Sequence, residues 1–193
     1  ADKVYEVWVN ALLSWPKTHI VNVAGNTLTN LMRLPQRGVQ ATIDIGRAAT
    51  TGKPREVFFG EMAADSFGML QGLTEGARLG LRAWKTEMPQ QAISKLEFGG
   101  GGAIGGKLGR AVRMPGRALM AMDEFFKAIA QTGETYAQAY RQAAKEGTRS
   151  MALPGKIADL VAKPTPIMVE KGASEALYRT FQAPLGAGGQ ALF

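Results

Sequence analysis

The sequence has no cysteine and a single histidine, His19. The first absence excludes a disulfide framework and any cysteine-based zinc site. The second excludes multi-histidine metal centres and any Ser–His–Asp triad not built on His19, which stands near a helix start where capping or packing is the ordinary role. Also nearly missing are the alternating apolar and polar residues of half-buried strands. No uncharged run reaches the roughly 18 to 20 apolar residues that a membrane-spanning helix needs. The longest candidates are THIVNVAGNTLTNLM, with three asparagines, and the terminal TFQAPLGAGGQALF. A peripheral membrane role stays open. The chain opens on ADKVYEVWVNALLSW, without an initiator methionine or a signal peptide. It therefore reads as an internal piece of a longer polypeptide.

What is present is ordinary globular composition, 46% hydrophobic and 20% charged over 193 residues, with 24 glycines and a net charge of +7. A basic balance suits nucleic acid, an anionic membrane or an acidic protein, although many proteins without such partners carry as much charge. Proline and glycine punctuate segments of helical spacing, which predicts helices at 3–14, 17–34, 36–51, 55–86, 103–113, 115–147, 154–163 and 166–182. The expected fold is all-α, a multi-helix assembly with long coiled-coil-like helices and Pro/Gly-punctuated connections. Residues 1–98 form an N-terminal helical half, 99–106 a Gly-rich hinge and 107–193 a C-terminal helical half.

The clearest helix starts at Pro115. Leu119, Met122, Phe126, Ile129, Gly133, Tyr136, Tyr140 and Ala143 follow 3-4 spacing, and Ala118, Ala121, Phe125, Ala128, Thr132, Thr135 and Ala139 repeat it on another face. Such a helix is expected between neighbours, either in the core of a bundle or at a subunit contact. The segment GMLQGLTEGARLGLRAW sets a harder question, since Gly68, Gly72, Gly76 and Gly80 recur at every fourth residue of a helical pattern. Four interior glycines forgo about 4 kcal/mol of helix propensity. Close backbone contact with a crossing helix in an assembly offsets that cost, so these four and Gly133 are the expected helix-contact residues. In the second helix Asn22, Asn26 and Asn30 form a polar ladder, either solvent-exposed or lining a wet lumen or a subunit contact.

Chemistry-bearing motifs are weak. In EFGGGGAIGGKLGR, Gly100, Gly102 and Gly105 match G-x-G-x-x-G, and Gly101 to Lys107 nearly match a P-loop. Leu108, however, stands where Ser or Thr would bind magnesium, and no strand precedes the motif. Nucleotide binding is set aside and no cofactor is expected. Asp123 and Glu124 are adjacent on a helix and point apart, which disfavours paired-carboxylate catalysis. Lys107, Arg110, Arg113 and Arg117 make a basic stripe with no acid between residues 98 and 122. It would suit DNA phosphates or anionic lipid headgroups, or else be a solvated face.

Three stretches, LLSWPKTHIVNVAGNTLTNL, RMPGRALMAMDEFFKAIAQTGETYAQAYRQAAKEG and LYRTFQAPLG, together resemble a helical region of the internal virion, or DNA-ejection, proteins of podovirus-type phages and related large polyvalent proteins. The resemblance spans residues 11 to 186 and rests on helix-packing patterns. It implies a protein packaged in the virion and released into the host cell envelope, in the periplasm or inner membrane, on infection. It also implies a homo-oligomer joined with other virion and ejection proteins into a conduit for DNA, with no small-molecule substrate. Some family members carry enzyme domains elsewhere, and none of their catalytic motifs occurs here. The leading expectation is thus a structural, non-enzymatic module; the alternatives are a membrane-active module or a helical scaffold for an enzyme outside this segment.

Overall fold

The structure, a computed structural model, describes residues 2–90, 102–148 and 151–182. Within them are seven helices and no strand: α1 (Asp2–Leu13), α2 (Pro16–Thr51), α3 (Gly60–Thr86), α4 (Gly106–Val112), α5 (Met114–Lys145), α6 (Ala152–Ala162) and α7 (Pro166–Arg179). Prolines open α2, α5 and α7, where a missing N–H and a preset φ cost a helix little. The Thr165 hydroxyl accepts the Met168 amide at 3.3 Å and caps α7. Gly52, at φ 67°, takes the left-handed conformation that ends α2.

Helix α5 is the axis. No residue from Pro115 to Ala144 is exposed, because α1, α2, α3, α6 and α7 all pack on it. Its role is that of a bundle's core helix. Tyr136 and Tyr140 are half-buried, and Tyr136 meets Phe67 of α3 edge-on with ring centroids 5.4 Å apart. Helix α3 runs antiparallel to α5 along its length, and α7 lies against another side. The helices on either side of segment 99–106 therefore share one core; residues 99–101 lie outside the described residues.

Two sequence expectations change. The spans 17–34 and 36–51 are one continuous helix of 36 residues with Pro35 inside it. Proline there removes one backbone bond, which is tolerable because residues 31, 35 and 36 face solvent, while Asn30 before it and Arg37 after it are held in the core. The span expected to start at 55 begins instead at Gly60. Asp44 holds the non-helical segment before Gly60, its Oδ2 accepting the Glu56 and Val57 amides at 2.7 and 3.0 Å. Those bonds, the Val57 amide foremost, together with Arg47, hold the Asp44 carboxyl down at about 2.

Candidate functional site

The four glycines of α3 all face α5. A methyl group placed on Gly68 would stand 2.8 Å from the Thr132 carbonyl oxygen, on Gly76 2.8 Å from that of Phe125, and on Gly80 2.7 Å from that of Ala121. On Gly72 it would stand 3.0 Å from the Ile129 Cα. At Gly68, Gly76 and Gly80 a side chain would therefore force the facing backbone to move, Gly72 is nearly as tight, and the two helices in contact belong to the same chain. Gly133, on α5, faces back: a methyl group there would overlap the Asp65 carboxylate and stand 2.8 Å from the Met69 Cγ. Its bare backbone is what lets Asp65 reach inward.

Asp65 belongs to a cluster that the sequence does not announce. Arg37 of α2, 1% exposed, donates from Nε to Asp65 Oδ2 at 2.6 Å, from one terminal nitrogen to Glu61 Oε2 at 3.2 Å, and from the other to Glu134 of α5. Arg179 of α7, fully buried, donates to both Asp65 oxygens at 2.9 and 3.3 Å. Arg141 grips Glu61 with two bonds of 2.6 and 3.0 Å, and Arg33 holds Glu175, which in turn accepts from Arg179. Four arginines and four carboxylates from α2, α3, α5 and α7 thus balance inside the molecule. Burial alone would lower the Arg37 pKa, yet Glu134, Asp65 and Glu61 raise it above its ordinary value, so the guanidinium stays charged.

The asparagine ladder continues this polar ridge. Asn22 donates to Asp123 at 3.2 Å, Asn26 to the Asn22 oxygen at 3.1 Å and Asn30 to the Asn26 carbonyl at 2.8 Å, with Asn26 and Asn30 buried. Burial raises the Asp123 pKa although Asn22 and Gln182 both donate to its carboxylate. The inner face of α2 accordingly reads Asn26, Asn30, Arg37, Ala41, Asp44, and its outer face Ile20, Val21, Leu28, Leu31, Met32, Val39, Ile43. From Thr18 to Gly52 no charged side chain of α2 is exposed, because Arg33, Arg37, Asp44 and Arg47 all turn inward. Helix α3 likewise buries Glu61, Asp65 and its glycines while exposing Phe67, Leu70, Leu73 and Leu81, but its outer side also carries Glu75, Arg78, Arg82 and Lys85.

The basic stripe is not one surface. Arg113 is held between Glu6 and Glu87, 2.7 Å from each, and both raise its pKa. Partial burial works against ionisation of Glu6, but Arg113 and the Ile104 amide hold its carboxyl below the ordinary range. Arg117 donates to the Trp84 carbonyl at 2.6 Å and lies over the indole, 4.5 Å from the ring centroid. Lys107 is exposed, and Arg110 is mostly exposed with Glu87 3.8 Å away. The expectation that all four lack counter-charge is thus corrected. Distant acids, Glu6 on α1 and Glu87 after α3, come to the stripe through the fold and leave Lys107 and Arg110 as its outward members.

Among the described residues, no cluster of His, Asp or Glu could hold a metal ion, and no helix is long and apolar enough to cross a membrane. What the arrangement offers is surface: a charge-free outer face on α2, supported by an ionic core. No protein-family model, curated protein or solved structure matches this chain.

Proposed function

We propose that the chain is a structural, non-enzymatic module that assembles with further copies of itself through the outer face of α2. Following the resemblance of its sequence, we place that assembly in a phage virion as part of a conduit for genome delivery into the host envelope, beside other ejection proteins. The observation that carries the reading is the absence of exposed charge along α2 from Thr18 to Gly52, a length of roughly 50 Å at 1.5 Å per residue. A face of that length without charge, with Ile20, Val21, Leu28, Leu31, Met32, Val39 and Ile43 exposed along it, is rare on a protein that stays alone. The same patch on two copies meets without electrostatic conflict, which is the requirement of a two-fold contact. The long paired helices α3 and α5 would act as the stiff, coiled-coil-like body of each copy.

The test is the particle mass of the purified chain over a range of concentrations. Wild type is expected to form a defined oligomer. Leu28→Glu together with Val39→Glu should return it to a monomer with an unchanged melting temperature, since both side chains are exposed. A wild-type monomer at high concentration, or an oligomer indifferent to both substitutions, would overturn the proposal.

A further inference from the structure

At one end of the bundle α1, α4, the last turn of α3 and the first turns of α5 converge on the Glu6–Arg113–Glu87 contact. The acids there are turned inward and bound. The exposed charges they leave behind are cations, Lys3, Lys17, Lys85, Lys107 and Arg110, with Asp2 as the exposed acid of α1. Between them stand Val4, Tyr5, Trp8, Leu12, Trp15 and Leu108, all more than half exposed. Val4, Trp8 and Leu12 follow one another at four-residue spacing and share a face of α1, and the exposed Trp15 stands just beyond it in the extended link to α2. The opposite end of the molecule also exposes apolar side chains, Phe59, Met151, Ile167 and Val169, but among the described residues its exposed Lys53, Lys145 and Lys163 alternate with the acids Glu56, Glu146 and Asp159 and it has no tryptophan.

We propose that this end docks on an anionic lipid surface, with Trp8 and Trp15 entering the headgroup boundary and Lys3, Lys17, Lys107 and Arg110 meeting lipid phosphates. Indole and phenol rings have an apolar body and a polar edge, which suits the depth at which a bilayer passes from hydrocarbon to headgroup. Lysine and arginine extend an aliphatic arm along apolar surroundings while the charge stays in water. Aliphatic residues between those cations, as at Leu108 beside Lys107, give nothing to a nucleic acid backbone but add buried area in a bilayer. Net positive charge, apolar bulk and two tryptophans coincide at this end alone among the described residues. This docking site is separate from the outer face of α2 and does not depend on pairing there.

The full chain carrying Trp84→Phe leaves Trp8 and Trp15 as the reporting indoles. Mixed with vesicles of phosphatidylcholine and phosphatidylglycerol, it should sediment with the lipid, shift its tryptophan emission to shorter wavelength and be quenched by brominated acyl chains. Pure phosphatidylcholine vesicles should produce a far smaller response. In the otherwise wild-type chain, Trp8→Ser with Trp15→Ser should abolish sedimentation while the helical circular dichroism is retained. Lys107→Gln and Arg110→Gln should each weaken binding roughly fivefold, as expected for a cation near a charged surface. Leu28→Glu with Val39→Glu should leave vesicle binding intact, so failure of the α2 contact and failure of this one are separable. Absence of vesicle binding, binding indifferent to the tryptophans and cations, or a tryptophan pair whose loss alters particle mass without lipid would overturn the proposal, the last by making this end a protein contact.

Discussion

The contact of α3 with α5 and the seating of α2 on the core are made by opposite means. Along α3 and α5 side chains are removed, and glycine backbone lies on the carbonyls of Ala121, Phe125 and Thr132. Under α2, long charged side chains are inserted, and one guanidinium serves carboxylates from two other helices. Neither contact rests mainly on the large apolar residues of α2 and α3, and Ile20, Val21, Leu28, Leu31, Val39, Leu70, Leu73 and Leu81 are left facing outward. The uncharged outer face of α2 follows from how the interior is filled, not from a separate feature added to it.

The sharpest way to break the comparison is Arg37→Ala. Glu61, Asp65 and Glu134 would keep Arg141 and Arg179 as their cationic partners, and losing one side of a buried pair costs about 3–5 kcal/mol. Chemical denaturation should show that loss, and a change within experimental error would mean that α2 is held by something else. Gly76→Leu is expected to cost less, about 1–3 kcal/mol from overpacking, because α3 can shift outward from α5. Gly76→Ala sharpens the point: alanine gains about 1 kcal/mol of helix propensity yet must push the Phe125 carbonyl away. A raised melting temperature for Gly76→Ala would show that the close contact is absent.

The smallest effect is expected from acid. The folded pKa of Asp44, about 2, lies below the ordinary value of 3.8. Its contribution is therefore complete above the ordinary value and lost as the pH falls from there through about 2. The protection factors of the Glu56 and Val57 amides, exchange rates relative to those of the unstructured chain at the same pH, should fall over that window before those of α3 and α5 do. Simultaneous release of all three would show that Asp44 has no local role.

The all-helical class was legible from spacing and proline placement, and the glycine row was legible because one face repeats every fourth residue. Helix α5 was recognisable as enclosed, since two apolar stripes leave little circumference for charge. The ionic core was not legible. Arg37 meets Asp65, Glu134 and Arg141's partner Glu61 across long stretches of chain, and spacing along one helix says nothing of such pairs. A signal was nevertheless present: Asn22, Asn26 and Asn30 continue at 3-4 spacing through Arg33, Arg37, Ala41 and Asp44, a polar seam opposite Leu28, Leu31 and Val39. It is hidden by the usual assumption that the charged side of a helix is its wet side. The same assumption made Arg113 and Arg117 look unpaired, because their acids stand on α1 and after α3.

The fork of Arg37 has one more consequence, for alignment. A helix seated on similar apolar residues can slide, since each position resembles the next. A slip of one residue turns an α-helix by about 100°. For α2 that rotation would carry the guanidinium away from Asp65, Glu61 and Glu134 at once and present Gln36 or Gly38 in its place. No intermediate setting satisfies the three acids, so α2 clicks into a single register, and which residues make up its outer face is indexed by the same residue.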